Sequence, residues 1–204
     1  PLRQLSEIIE TVSVRGHQVK TEAYEDGEGW PIVDQGNNLI CGYTNRADPI
    51  DCELPVTVFG DHTRETKFID FPFVAGADGT KVLRGAGVEP RYFHALIEMA
   101  SERITNLGYS RHFKLINEFD APYTDDFGEQ KRIASVLKAW DGAIATVDTL
   151  VKAKERRSAS LANKLLARCF NPPGDSGWAS HQLGELFHER DERAPSSPLL
   201  SITA

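Results

Sequence analysis

The 204-residue chain lacks the features that would place it in a membrane, in a secretory pathway or among zinc proteins. It has no run of 18 or more apolar residues, so no segment is expected to span a bilayer. Its N-terminus, PLRQLSEIIE, carries acidic groups where an export signal has a basic and then an apolar region. The three cysteines, Cys41, Cys52 and Cys169, are too widely and oddly spaced for a disulfide framework or a zinc set. These absences predict a protein of the reducing cytoplasm.

Motifs of the common enzyme classes are also missing. The six histidines occur singly, without a spacing such as His-x-x-x-His, and there is no Walker loop and no Gly-x-Ser-x-Gly. Gly85-Ala86-Gly87 lacks the third glycine of a nucleotide-binding loop and is interpreted as a turn. The sequence therefore predicts a chain without catalysis, cofactor or metal.

Two short motifs come closest to an enzyme site. Asn171-Pro172-Pro173 resembles the base-holding motif of amino-methyltransferases, but Gly174 stands where the stacking aromatic would be, so it is interpreted as a helix end. Asp61 with Glu65 and Lys67 imitates the metal site of many nucleases, although the two acids are closer in sequence than that site requires. A solvated strand edge is the preferred interpretation of this second motif, and a metal-dependent nuclease is kept as an alternative.

The acidic charge of the chain is unevenly distributed. The formal net charge is −7, yet residues 129–170 hold nine Lys/Arg and four Asp/Glu and are therefore basic. Residues 1–128 hold 12 Lys/Arg and 21 Asp/Glu. The net charge of a protein affects its solubility but does not determine what a particular part of its surface binds. Charge alone therefore neither predicts nor excludes a nucleic-acid partner.

A long apolar repeat is present between residues 129 and 170. Apolar residues alternate at spacings of four and three, a 3.5-residue period over about five heptads, interrupted at Lys154 and Ser158. Such a period predicts a helix of roughly 60 Å that packs along a seam against an equally long partner helix. The seam residues are Ile133, Leu137, Trp140, Ile144, Val147, Val151, Leu161 and Leu165.

The rest of the chain is predicted to be an α+β domain over residues 1–128. Strand-like runs occupy 30–33, 55–59, 67–74 and 80–83, and Asp78-Gly79 is a candidate hairpin turn between the last two. Pro90 is expected to open a helix that stops at Gly108, and 113–119 is predicted as a short strand. In residues 171–204, a linker leads to QLGEL, which repeats the QLSEI of residues 4–8 and predicts the beginning of an incomplete second domain.

Two loops concentrate side chains that can grip phosphates and read base edges. The first lies between strands at 60–67, and the second follows the Pro90 helix at 108–114. Arginine, lysine, histidine and hydroxyl groups are the types that proteins use for both purposes. The candidate DNA contacts are His62, Thr63, Arg64, Lys67, Tyr109, Ser110, Arg111, His112 and Lys114, with Lys20 and Arg84 as weaker ones. Arg64 and Arg111 are the preferred base or phosphate contacts, because the arginine fork matches guanine edges and phosphates.

At these residues the sequence resembles the DNA-specificity (S) subunits of type I restriction-modification systems. The resemblance covers nearly all of residues 1–170, and its most specific part is Glu129-Gln130-Lys131-Arg132-Ile133-Ala134, similar to the opening of the conserved spacer helix of that family. The other matching segments are 56–64, 68–74, 76–79 and 108–114.

The resemblance implies a function without chemistry of its own. S subunits carry two target-recognition domains, each followed by a spacer helix; the helices pair antiparallel and separate two DNA half-sites. It implies that 1–128 is one recognition domain, that double-stranded DNA is the ligand, and that methyltransferase (modification) subunits and, through them, a restriction subunit are partners. The chain then corresponds to a natural half-subunit, a truncated product or a fragment.

With one spacer helix, an antiparallel homodimer reading a palindromic, interrupted site is expected. The alternative is a coiled-coil assembly or decoy protein that binds modification subunits without reading DNA.

Overall fold

The computed structural model describes residues 1–170 except 77–78, 106–107 and 109–110, and for 168–170 it describes the backbone alone. Within these residues no helix is both long and apolar enough to cross a bilayer. The strands are β1 (Leu2–Gln4), β2 (Ile9–Val12), β3 (Trp30–Val33), β4 (Gly42–Thr44), β5 (Val56–Gly60), β6 (Thr66–Ile69), β7 (Val74–Ala75), β8 (Thr80–Gly85) and β9 (Asp120–Pro122). The helices are α1 (Pro90–Arg103), α2 (Phe113–Asn117) and α3 (Phe127–Phe170). The predicted α+β class is confirmed.

An antiparallel sheet with the strand order β2-β8-β5-β6 forms the centre of the globular domain. All five residues of β5 are buried, because successive side chains of a strand point to opposite faces and both faces are covered. Phe59 points into a core shared with α1, whereas Val56 and Val58 point into a second core that contains Phe73. The sheet is thus the middle layer between two cores, and the loops that connect its strands can carry functional side chains.

A smaller sheet has the order β4-β3-β7, and β7 runs parallel to β3. The predicted hairpin at Asp78-Gly79 is therefore wrong: β7 pairs with β3, while β8 pairs with β2 and β5. The predicted strand at 67–74 is likewise divided into β6 and β7, which belong to different sheets. Asp78 itself lies outside the described residues.

Helix α1 begins where the sequence predicts but ends earlier. Glu89 caps it by accepting a hydrogen bond from the Tyr92 backbone N–H at 2.7 Å, and Pro90 occupies its first turn. The helix ends at Arg103, since Ile104 is extended, so the predicted stop at Gly108 is wrong.

Residues 113–117 form the helix α2, and the predicted strand at 113–119 is wrong. Phe113 and Ile116 share a helical face on which Ile116 is fully buried. The helix is short, and its first backbone N–H donates to the Asp61 side chain at 2.8 Å. A cap supplied from 52 residues away is invisible to a local pattern, which explains the error.

The long helix α3 spans Phe127–Phe170, two residues more at its start than predicted. The Asp126 side chain accepts the backbone N–H groups of Gly128 and Glu129 and so caps its first turn. The chain divides into two units, Pro1–Ile144 and Ala145–Ala204. In the first unit, Ala134 of α3 is buried and Ile133 is partly buried against the α1 core.

Candidate functional site

Asp61 joins the two predicted loop clusters directly. Its backbone carbonyl accepts from the His112 backbone N–H at 2.9 Å, and its carboxylate accepts from the Phe113 N–H at 2.8 Å. The Asp61 backbone N–H in turn donates to the Gly79 carbonyl at 2.8 Å. The loops at 60–65 and 111–113 and the turn before β8 therefore form one surface, called here the loop face.

The loop between β3 and β4 completes the loop face. The Gln35 side chain accepts from the His62 backbone N–H at 3.2 Å, and the Thr63 hydroxyl donates to the Gln35 carbonyl at 2.6 Å. Gly79 has a φ of +89°, and an added Cβ would lie 2.6 Å from the Gln35 Oε1 atom and 2.7 Å from the His62 ring. The positive φ therefore favours glycine there, and a larger residue would also displace the Gln35 and His62 side chains.

Among the predicted contacts, Thr63, Arg111 and Lys114 are exposed and His62 is partly exposed. The Lys114 side chain is 82% exposed and forms a weak ion pair with Glu118, so it is available to a ligand. Tyr109 and Ser110 lie outside the described residues.

Lys67 was predicted to contact DNA, but its side chain is buried inside the domain. Its side chain is 6% exposed, and its Nζ atom donates to the Asp34 carbonyl at 2.7 Å and lies 3.8 Å from the Asp34 carboxylate. Burial lowers the pKa of Lys67, and the charge of Asp34 opposes this shift. Burial also raises the pKa of the neighbouring Cys41 thiol to about 11, with further increase from Asp34. Lys67 therefore anchors the β3–β4 loop, a role that its place in a polar cluster did not reveal.

His112 and Arg64 also have partners within the fold. His112 is fully buried with its Nδ1 atom 3.0 Å from the Asp61 carbonyl, so its side chain does not face a ligand. The Arg64 guanidinium donates to the carbonyls of Ser101 and Ile104 at 3.2 and 3.3 Å and so binds the end of α1. Arg64 also adopts a φ of 66°, and the Ser101 hydroxyl donates to its carbonyl. Arg64, one of the two preferred DNA contacts, is thus committed to fixing the shape of the loop.

The weaker candidates Lys20 and Arg84 are separate from the loop face. Arg84 forms ion pairs with Glu10 at 3.1 Å and with Glu53 at 3.6 Å. It lies four residues beyond Thr80, which pairs with Gly60 at the loop face, so roughly 13 Å of strand separates the two. Lys20 is exposed and follows Val19, which donates to the Ala75 carbonyl in the smaller sheet.

Three further residues of the loop face are not distinguished by any pattern in the sequence. Asn37 and Asn38 are exposed in the β3–β4 loop, two and three residues after Gln35. Lys81 lies on β8 with its Nζ atom 5.8 Å from the centre of the Phe113 ring. Asparagine can bond adenine bidentately and lysine can bond guanine or phosphate. Only the convergence of the loops, which no local signal carries, could have identified these residues.

The metal-site alternative receives no support in the part of the chain that the structure describes. Within 1–170, leaving out the undescribed gaps, no group of three His, Cys, Asp or Glu side chains is placed to hold a metal. Asp61 is 3% exposed and its carboxylate caps α2, and Lys67 is bound to Asp34. These residues form two structural contacts in place of one site.

Removal of the Lys67 amine should destabilise the protein. Lys67→Met keeps most of the stem volume but leaves the Asp34 carbonyl and carboxylate without their buried partner, so we expect the free energy of unfolding to fall by about 2–3 kcal/mol. Lys114→Met, at an exposed position, is the matched control and should change it by less than about 0.5 kcal/mol. Urea denaturation measures both, and a methionine variant at position 67 as stable as the original chain would show that the pair is not structural.

The apolar seam of α3 is exposed over most of its length. In the first unit Trp140 and Ile144 are 66% and 57% exposed, while Ile133 and Leu137 are partly covered. In the second unit Val147, Val151, Leu161 and Leu165 are between 47% and 62% exposed. Val136, Leu150 and Leu166 are exposed as well, so the apolar surface is wider than the predicted seam. Such a surface is typical of a helix that packs against a partner.

No family model matches the chain. The specificity subunit of a type I restriction enzyme from Escherichia coli is 32% identical over 81 residues, which are 39% of this chain and 20% of that protein. The crystal structure of a type I restriction-modification S subunit from M. genitalium aligns with a TM-score of 0.59 and 15% identity, covering 85% of this chain and 46% of the other. A chain from a structure of type I system assembly and conformational transition aligns with a TM-score of 0.55 and 16% identity, covering 82% and 45%.

The fold is thus that of a globular α+β domain followed by one long helix, and it is shared with a solved type I S subunit and with a chain from a structure of a type I system. Together with the sequence match, these findings confirm the resemblance to type I specificity subunits. The chain spans about a fifth of the curated relative and less than half of each solved chain.

Proposed function

We propose that this chain is the DNA-recognition half of a type I specificity subunit and reads one half-site through its loop face. The observation that carries the proposal is the contact of Asp61 with His112 and Phe113, which unites two loops rich in DNA-binding residue types. The resemblance to type I specificity subunits supports it independently. Methylation and cleavage belong to partner subunits in this account.

The proposed contacts are the exposed and partly exposed polar and basic groups of the loop face. Arg111, Lys114 and Lys81 supply positive charge, and the two asparagines supply hydrogen bonds. The Thr63 hydroxyl, which donates its hydrogen to the Gln35 carbonyl, can still accept one. His62 completes the set, and Tyr109 and Ser110 remain predicted contacts. Lys67, Arg64 and His112 are assigned a supporting role because their side chains are bound within the fold.

We further propose that two copies of the chain pair through the seam of α3 in antiparallel orientation. The exposed side chains from Trp140 to Leu165 supply the apolar surface that a partner helix would cover. A two-fold pair presents two identical loop faces, so its target should be an interrupted palindrome.

Modification subunits are the proposed protein partners. Residues 1–128 carry 21 acidic and 12 basic side chains, so the recognition domain alone is expected to attract the DNA backbone weakly. Partners that supply positive charge around the duplex would raise the affinity without changing which bases are read.

Selection from a random pool of duplex oligonucleotides tests the proposal. The full chain, alone and with its modification subunit, should enrich two inverted copies of one short sequence at a fixed separation. If the complex with the modification subunit enriches no sequence, the chain does not read DNA.

A specific effect is expected at Arg111. Arg111→Ala removes one exposed cation from the loop face, so the slope of log affinity against log salt should decrease by about 1 if the residue binds phosphate. If it binds a base edge, specific affinity should fall by about 1–3 kcal/mol with relaxed selectivity at one position. Arg46→Ala is the control, because Arg46 pairs with Glu25 at the opposite end of β3. Unchanged affinity and unchanged salt slope in Arg111→Ala would remove this residue from the interface.

The second candidate function is an assembly or decoy protein that binds modification subunits without reading DNA. The observation that favours it is the combination of an exposed helix seam with an acidic globular domain. Dimerisation is expected under both functions, whereas sequence enrichment from the pool is expected under the first alone.

A further inference from the structure

The first turn of α3 is hydrogen-bonded to two other segments through one buried side chain. Gln130 is 1% exposed. Its Oε1 atom accepts from the Glu89 backbone N–H at 2.9 Å, and its Nε2 atom donates to the Thr124 carbonyl at 2.8 Å and to the Tyr123 hydroxyl at 3.4 Å. Both the acceptor and the donor capacity of the amide are thus used.

The two segments that Gln130 binds are themselves joined. Glu89 is the N-cap of α1. The Tyr92 hydroxyl of that helix donates a hydrogen bond to the Pro122 carbonyl at 3.2 Å and accepts one from the Thr124 backbone N–H at 3.3 Å. Gln130 therefore closes a ring of hydrogen bonds among the start of α1, the end of β9 and the start of α3.

A second contact lies farther along the same side of α3. The Asp141 carboxylate accepts from the Arg91 guanidinium at 2.8 Å, and that guanidinium lies 4.3 Å from the centre of the Phe68 ring. Asp141 follows Gln130 by eleven residues, about three helical turns, so the two share a face. Ala134, between them on that face, is 6% exposed. The first turns of α3 are thus attached to the domain at two points.

We propose that Gln130 is a positioning residue that fixes the orientation of the first turns of α3 against the globular domain and thereby sets the separation of half-sites that a dimer accepts. The effect on half-site separation rests on the proposed function, whereas the positioning of α3 by Gln130 does not depend on it. An apolar side chain at this position would bury surface but would not fix the orientation of the helix. Three hydrogen bonds fix that orientation, because each one requires a defined angle.

The orientation is measured without DNA on the full isotope-labelled chain. In the original chain, residual dipolar couplings of amides in 130–143 and in the globular domain should fit one alignment tensor. In Gln130→Met, which keeps an unbranched side chain of similar volume, they should need two tensors, and exchange of the Glu89 amide should accelerate at least tenfold. Glu129→Gln, at a partly exposed neighbour in the same turn whose side chain contacts Arg132 and not the globular domain, is the control and should behave as the original chain.

The consequence is measured on duplexes that carry the two selected half-sites at separations differing by single base pairs. One base pair changes the separation by ~3.4 Å and rotates one half-site by roughly 35°, so a fixed orientation should discriminate sharply. We expect at least tenfold discrimination by the original chain and less than threefold by Gln130→Met, with affinity for a single half-site within twofold.

The outcomes separate the two proposals. A single tensor and an unchanged separation profile in Gln130→Met would overturn the positioning role, even if the variant were less stable. Absence of any sequence preference in the original chain would instead overturn the proposed function, while the dipolar couplings would still decide the role of Gln130. If the methionine variant does not fold, Gln130→Glu, which keeps the acceptor for the Glu89 N–H, is compared in the same way.

Discussion

Replacing Asp61 with alanine should reduce both the stability of the protein and its recognition of DNA. The substitution leaves the Phe113 N–H without its acceptor and removes the cap of α2, so we expect the free energy of unfolding to fall by about 2–3 kcal/mol. Because the same carboxylate joins the two loop clusters, specific DNA affinity should fall at least tenfold under conditions in which the variant is folded.

Asp61→Asn provides the matched control for this effect. Its amide oxygen can still accept the Phe113 N–H, so the variant should retain most of the stability and affinity. Urea denaturation and fluorescence-based DNA titration at a temperature well below the unfolding midpoint measure the two quantities. An alanine variant with original stability and affinity would mean that the two loops do not depend on Asp61.

Two glutamates in the seam of α3 should abolish dimerisation. Val147 and Val151 are 58% and 47% exposed, so Val147→Glu with Val151→Glu leaves the fold of one chain intact. The proposed helix pair would have to bury four added charges in place of four valines, each of which contributes about 1.5–3 kcal/mol when fully buried. We expect the dimer dissociation constant to rise at least 100-fold and the affinity for the two-half-site duplex to fall with it.

The control for the seam variant is Ala153→Glu. This residue is exposed on the same helix, about 200° around from Val151, and adds a charge of the same sign away from the seam. Sedimentation velocity over a concentration series should find a monomer for the double variant and a dimer for the control. A double variant that remains dimeric would place the interface elsewhere.

Sequence patterns predicted the elements that depend on local signals. The period of α3, the proline at the start of α1 and the apolar run of β5 each identify an element by its own residues. The errors arose where residues distant in sequence determine the local structure. Asp61 caps α2 from 52 positions away, and β7 pairs in parallel with β3. Arg64 binds the end of α1, which ends before the predicted glycine.

The candidate site shows the same division. The two loop clusters were identified by residue type, and the structure places them side by side. Residue type did not distinguish a ligand-facing cation from an internal one, so Lys67 and Arg111 were grouped although one is buried and the other exposed. Lys81, and the β3–β4 loop that carries Asn37 and Asn38, join the loop face only through tertiary contacts, which explains why these residues were not predicted.

The central claim is that two identical chains read DNA as a symmetric pair. Its most direct test is the methylated motif in the genome of cells that carry this gene together with genes for the modification and restriction subunits. The account predicts an interrupted palindrome, with the same half-site in inverted orientation, that disappears when this gene is deleted. An asymmetric motif, or methylation that persists without the gene, would contradict it.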